Sequence, residues 1–257
     1  IVLINDAEPG ARPYLAERWN KIHKASFECF EAIPLSPVLG AEIKGIDLSK
    51  TLDDETFNEL NQARFLFRVL FFHDQDISVE QHKALGLRFG DLEVHPFYQH
   101  DENHPEVVRL EKTKSEQGIE NVWHSDVSFR KVPSLGSILR AREVPDIGGD
   151  TLFCDMVTAY ECLNKKTKAE IANLNAVHDF SHSFGQFLSA EDLAEQKIKY
   201  PPAVHPVVRT FPETGEKGIY VNPIFTSHFE GRSKEESLPL LNKLFKQADI
   251  PEFQIRF

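Results

Sequence analysis

The chain has 257 residues, 41% of them hydrophobic and 27% charged, with 29 basic and 40 acidic side chains for a formal charge of −11. That balance suits a globular protein with a substantial core, and the negative charge argues against a nucleic-acid partner, because no run of five basic residues offsets it. A membrane partner is not expected either: "FLFRVLFF" at 65–72 is far short of the ~20 apolar residues of a spanning helix and contains Arg68, while Asp6 and Glu8 interrupt any signal-peptide core.

Cys29, Cys154 and Cys162 are odd in number and have no C-x-x-C spacing, so they read as free thiols of a reducing compartment, and the expected location is cytoplasmic. The sequence starts at Ile1 rather than Met, so the true N-terminus is expected to lie upstream.

In chain order, residues 11–30 read as a short helical lead-in, and "FEAIPLSPVLGAEIKGIDL" at 30–48 as short strands joined by turns. "DDETFNELNQARFLF" spaces Phe57, Leu60 and Ala63 along one helix face, and "RVLFFHD" follows as a buried strand. Ser78 and Gln81 have capping-box spacing at the start of a second helix that stops at Gly90. From residue 106 strands are expected at "EVVRLEK", "VWHSDVSF", "LGSILRARE" and "GDTLFCD", then a helix from about Met156 to Leu174. "HPVVRTF" and "GIYVNP" form a hairpin across "PETGEK", and "SKEESLPLLNKLFKQA" is helical. With no internal repeat and no Gly/Ser linker, the expectation is one domain over 1–257, mainly β with covering α-helices, as a sandwich or jelly roll. No G-x-G-x-x-G or P-loop supports nucleotide binding.

The chemistry centres on "NVWHSDVSF" at 121–129. On a strand, Val122, His124, Asp126 and Ser128 would share one side, putting an imidazole and a carboxylate roughly 7 Å apart along the chain. Two readings stay open at this point: a surface pair on a half-exposed strand, or two metal ligands. Two such donors are two-thirds of the 2-His-1-carboxylate triad that holds Fe(II) with open positions. A 2-oxoglutarate co-substrate would also need a hydroxyl and a bidentate Arg for its carboxylate, and Thr151 in "GGDTLF" supplies a hydroxyl beside two glycines that permit close backbone approach. His178 and His182, four residues apart in "HDFSH", could share a helix face, but they, His205 and His228 read first as structural. Arg140 and Arg209 read as solvated or paired strand residues.

The landmarks "LGAEIKGIDLS", "VLFFHDQDIS", "EVHPFY", "WHSDVSF", "PSLGSILRAREVPDIGGDTLF" and "HPVVRTFPETGEKGIYVN" run in order across nearly all of 36–231. In that combination the chain resembles the taurine dioxygenase / 2,4-dichlorophenoxyacetate dioxygenase group of Fe(II)- and 2-oxoglutarate-dependent oxygenases. The resemblance implies a double-stranded β-helix, with Fe(II), 2-oxoglutarate and O₂ as cofactor and co-substrates. It makes His124 and Asp126 iron ligands and gives Thr151 the 2-oxoglutarate carboxylate. His95 and Tyr98 of "HPFY" would bind the anionic group of the substrate, with the Val127 backbone and the Phe184 and Phe225 rings lining the pocket. From the residues alone, His95 and Tyr98 could equally be a packed loop pair, and Phe184 and Phe225 ordinary core aromatics.

The implied activity is hydroxylation of a small organic acid, an alkylsulfonate such as taurine, releasing sulfite and an aldehyde with succinate and CO₂. The implied partners are a small anionic molecule and copies of the same chain, as a dimer or tetramer. In the taurine enzymes an Asn stands where this chain has Glu120, a carboxylate that would repel a sulfonate; either the match shifts to Asn121, or the substrate is an alkyl sulfate, an aryloxyacetate or a biosynthetic intermediate. A non-catalytic jelly-roll binding protein is the reading of another class. The family's second iron-ligating His and its 2-oxoglutarate Arg belong to a "WDNR…H…R" region that is not in this sequence, which stops at "PEFQIRF". The expectation is therefore a portion of a longer protein, with the last core strands absent from it.

Overall fold

The computed structural model describes residues 11–98, 100, 102–111 and 121–257. Its N-terminal region is built on local signals that hold. Helix α1 (Ala11–His23) precedes strands β1 (Glu31–Pro34) and β2 (Ala41–Lys44). Helix α2 (Asp54–Phe67) starts where the Asp53 side chain accepts from Thr56 N at 2.7 Å, and it buries Leu60, Ala63 and Phe67 at helical spacing. It ends at Arg68, whose φ of +69° turns the chain into β3 (Leu70–Phe71). β2 lies between β1, antiparallel, and β3, parallel. Helix α3 (Val79–Leu87) carries the expected Ser78–Gln81 capping box. One apolar core, with Ile22, Phe30, Ile43, Leu60, Phe67 and Ile77, holds these elements together.

The C-terminal region opens on β4 (Leu152–Cys154). The single helix expected over 156–174 is two, α4 (Met156–Glu161) and α5 (Lys165–Ile171), because Asn164 caps the second by accepting from Thr167 N at 2.8 Å. Strand β5 (Asn175–His178) is central to a three-stranded antiparallel sheet, between β6 (Ala203–Pro206) and β9 (Thr226–Phe229). Helix α6 (Ala190–Lys199) starts at the Ser189 cap and precedes β6. The expected hairpin is present as β7 (Val208–Thr210) and β8 (Lys217–Ile219). Helix α7 (Lys234–Phe245) packs Leu241 and Leu244 into a second core with Ala159, Ile171, Val207 and Phe229. Strand β10 (Gln254–Arg256) pairs antiparallel with β4.

The architecture is mixed rather than mainly β: strands of two to four residues form four small sheets, and among the described residues none closes into a barrel. Three expected strands, over 106–112, 122–129 and 135–143, are not formed among the described residues, apart from a single bridge between His100 and Val108. A β-propensity segment becomes a strand only when a neighbour accepts its ladder. Two polar ties instead hold 135–143 against the N-terminal region: Arg140 donates to Asp76 at 3.0 Å and to the Ile77 carbonyl, and His82 Nε2 lies 2.9 Å from Ile138 O. A partly buried ion pair links the two regions, Arg68 donating to Glu216 at 2.6 Å. Among the described residues no helix is long and apolar enough to cross a membrane, and the three cysteines are free.

Candidate active site

Residues 126–129 form a turn, and Val127 sits at φ +43°, a left-handed conformation that a β-branched residue adopts only under constraint. The alternation expected of a strand is therefore wrong. Val127, Ser128 and Phe129 are buried consecutively, while His124 and Asp126 stay on the exposed side. Those two still converge, with His124 Nε2 3.4 Å from Asp126 Oδ1.

His124 Nδ1 lies 2.8 Å from the Val122 carbonyl, which can only accept, so in the neutral ring the proton is on Nδ1 and Nε2 offers a lone pair. A lone pair facing a carboxylate oxygen needs a proton or a cation between them. Ser137 Oγ donates to the other carboxylate oxygen at 2.7 Å and fixes its orientation. The Asp126 carboxyl is held below the usual carboxylate range chiefly by the adjoining His124 ring and then by Ser137, against an opposing effect of burial. The pair thus fits two positions around a divalent metal that takes imidazole and carboxylate. Among the described residues no group of three His, Cys, Asp or Glu side chains is placed to hold a metal. His178 and His182 share no helix face, since His178 ends β5 and His182 lies in the turn after it.

His95 and Tyr98 do belong to this neighbourhood. His95 Nδ1 accepts from the backbone N–H groups of Phe97 and Tyr98, both at 3.3 Å, which places the ring proton on Nε2. Burial pushes the His95 pKa down while the carboxylates of Glu93 and Asp126 oppose that shift, so the ring is neutral within the field of Asp126. Its ring is 4.5 Å from Tyr98 and 5.4 Å from Phe184. Behind them Val127, Phe129, Phe180 and Phe225 are buried together with Phe97 and Phe184 packed on them, Phe129 and Phe225 being 5.1 Å apart. Phe184 and Phe225 both belong to this aromatic cluster, with Phe184 beside the His95 ring.

Thr151 is exposed and continues the β4–β10 ladder: its N–H donates to Phe257 O at 2.8 Å and its carbonyl accepts from Phe257 N at 3.0 Å. Gly148 and Gly149, at φ +80° and +78°, make the turn that leads to it. Trp123 Nε1 donates to Asp249 at 3.0 Å, tying the His124 segment to the turn before β10. Glu120 lies outside the described residues. Of the two arginines, Arg140 is paired as described and Arg209 stacks 4.8 Å from the Tyr220 ring centroid. An open groove of about 530 Å³ lined by residues from Ala25 to Gly45 shares no residue with this site.

Sequence reasoning missed the groups behind the turn. Ser128 meets Asn222, His178 and His205, and Glu93 braces Arg130 and Ser134. These partners stand 37 to 94 positions apart in the chain, and no local spacing signals them. The one cue was "VNPIFT", an Asn before Pro, whose Oδ1 caps Ile224 N and Phe225 N.

The family model described as "Taurine catabolism dioxygenase TauD, TfdA family" matches residues 31–257. The chain is 34% identical over 229 residues to an alkylsulfatase of Acinetobacter baylyi, covering 85% of this chain and 71% of that protein. It is 32% identical over 244 residues to the alpha-ketoglutarate-dependent 2,4-dichlorophenoxyacetate dioxygenase of Cupriavidus pinatubonensis, covering 88% and 84%. The crystal structure of a taurine dioxygenase from Burkholderia xenovorans superposes with a TM-score of 0.76 at 34% identity, covering 90% of this chain and 76% of that one. Against a relative from Schizosaccharomyces pombe the chain spans 58% of that protein's length.

Proposed function

The chain belongs to the TauD/TfdA family, whose members are alpha-ketoglutarate-dependent dioxygenases requiring Fe(II), 2-oxoglutarate and O₂, and on that premise we propose that it hydroxylates a small organic anion, an alkylsulfonate such as taurine. The observation that carries this reading is the approach of His124 Nε2 to Asp126 Oδ1 at 3.4 Å beside a neutral His95. The metal would supply activation of O₂ toward a substrate C–H bond. Sulfite and an aldehyde would leave, with succinate and CO₂ from the co-substrate.

The chain's own residues then have distinct tasks. His124 and Asp126 hold the metal, and Ser137 keeps the Asp126 carboxylate aimed at it. The His95 Nε2–H and the Tyr98 hydroxyl donate to the anionic head of the substrate. Val127, Phe184 and Phe225 wall off water near the reacting carbon. The Thr151 hydroxyl donates to the 2-oxoglutarate carboxylate. A third metal ligand and an arginine for the 2-oxoglutarate carboxylate would complete the site, and on this reading the small sheets belong to a double-stranded β-helix.

A second reading keeps the same chemistry on an alkyl sulfate or an aryloxyacetate. It is favoured by the aromatic and aliphatic cluster around Phe129, which suits a larger apolar tail, and by relatives named for those reactions. Succinate release from 2-oxoglutarate by the full-length protein, with Fe(II), O₂ and each anion class in turn, tests both. Taurine is expected to give succinate and sulfite, and His124→Ala or Asp126→Ala to abolish both while the circular dichroism spectrum is unchanged. Full turnover in either variant would show that these are not the ligands.

A further inference from the structure

We propose that Ser128, clamped by Asn222, His178 and His205, is a positioning residue: the clamp imposes the left-handed turn at Val127 and thereby aims Asp126 at the metal. This rests on the metal reading above.

A valine at φ +43° is strained, and such a conformation persists only where the surroundings over-determine it. Here they do so at the next residue. The Ser128 side chain is fully buried; its Oγ accepts from Asn222 Nδ2 at 3.0 Å and lies 3.0 Å from His178 Nδ1. The Ser128 carbonyl accepts from His205 Nε2 at 2.9 Å, and the same N–H reaches the Arg130 carbonyl at 3.0 Å. Carbonyls only accept, so His205 carries its proton on Nε2 and grips the backbone on both sides of Phe129.

The clamping groups are themselves fixed by separate elements. His178 ends β5, His205 lies within β6, and Asn222 caps the turn into β9 through Ile224 N and Phe225 N. Asn222 N also donates to Thr226 Oγ1 at 2.9 Å, which lies 3.4 Å from His178 Nε2. The three-stranded sheet is thus tied to one residue of the turn, two positions after the carboxylate ligand. Asp126 itself is exposed, and its polar partners are His124 and Ser137 on surface segments outside any helix or strand. A simple packing role for Ser128 would not need three polar contacts at a site where apolar neighbours would serve.

Isothermal titration of the full-length protein with Mn(II), under 2-oxoglutarate and without O₂, tests this. Ser128→Ala is expected to weaken Mn(II) binding by about 10- to 100-fold, the usual effect of losing support behind a ligand, in protein that circular dichroism shows to be folded. Val127→Gly, which adopts positive φ without strain, is expected to recover most of that loss when combined with Ser128→Ala. His205→Gln, which keeps a donor near Nε2, should bind Mn(II) like the parent, whereas His205→Ala should not; this pair decides the question if Ser128→Ala fails to fold. Parent-like affinity in folded Ser128→Ala, or in His205→Ala, overturns the proposal while leaving the metal reading intact. Absence of Mn(II) binding by the parent protein overturns the metal reading and this proposal together.

Discussion

Two turns of the chain pass through positive φ near the proposed site, and they achieve it by different means. At 126–129 the left-handed residue is a buried valine, held by hydrogen bonds from a three-stranded sheet and by the aromatic rings around Phe129. At 148–151 the work is done by Gly148 and Gly149, exposed, with Thr151 laddered to Phe257. A valine turn needs its surroundings to exist; a glycine turn needs only its own sequence. The first therefore couples Asp126 to the stability of the core, and the second leaves Thr151 nearly independent of it.

The largest expected contrast is in packing. Phe129 is 1% exposed and lies against Phe97, Phe180 and Phe225, so Phe129→Ala should cost about 3–5 kcal/mol in urea unfolding. Leu139, 66% exposed between the two turns, should cost no more than about 0.5 kcal/mol when changed to Ala. Equal losses would mean that the two stretches are not differently built.

Acid should separate them next. Burial, and then the neighbouring His205, push the His178 pKa down to about 3. An unfolded histidine titrates at about 6.5, so below that pH the unfolded chain binds a proton that the folded one refuses. Stability conferred by the neutral ring is intact above about 6.5 and declines as pH falls toward 3, by about 1.4 kcal/mol per pH unit, or about 2 kcal/mol at pH 5. Urea unfolding at pH 7 and pH 5 should show that drop, and His178→Gln should flatten it. Gly148→Ala should leave the slope unchanged.

What was legible in the sequence follows the same division. Signals that act over three or four residues, such as the Phe57–Leu60–Ala63 spacing, the Ser78–Gln81 box and the "PETGEK" hairpin, gave the right elements. The pairing of His124 with Asp126 was also legible, but for the wrong reason, since the strand alternation invoked for it is absent and the Val127 turn replaces it. Nothing local marks Val127 as left-handed, because that conformation is imposed by Asn222 and His205, 94 and 77 positions beyond Ser128. Residues 135–143 show the converse: their β-propensity is real, but no neighbouring strand pairs with them among the described residues.

The smallest effect tests the glycine turn itself. A Cβ on Gly149 would stand 3.0 Å from Pro145 Cγ and 3.1 Å from its Cδ, at φ +78°, whereas one on Gly148, at φ +80°, would meet nothing within 4 Å. Both Ala variants carry the left-handed penalty of about 1 kcal/mol, and only Gly149→Ala must also move Pro145. If Thr151 binds 2-oxoglutarate, that movement should raise the KM for 2-oxoglutarate more in Gly149→Ala than in Gly148→Ala, with Mn(II) affinity unchanged in both. A matching loss of Mn(II) affinity would show that the two turns are mechanically joined, through Trp123 and Asp249 and the β10 ladder, and that their independence is only apparent.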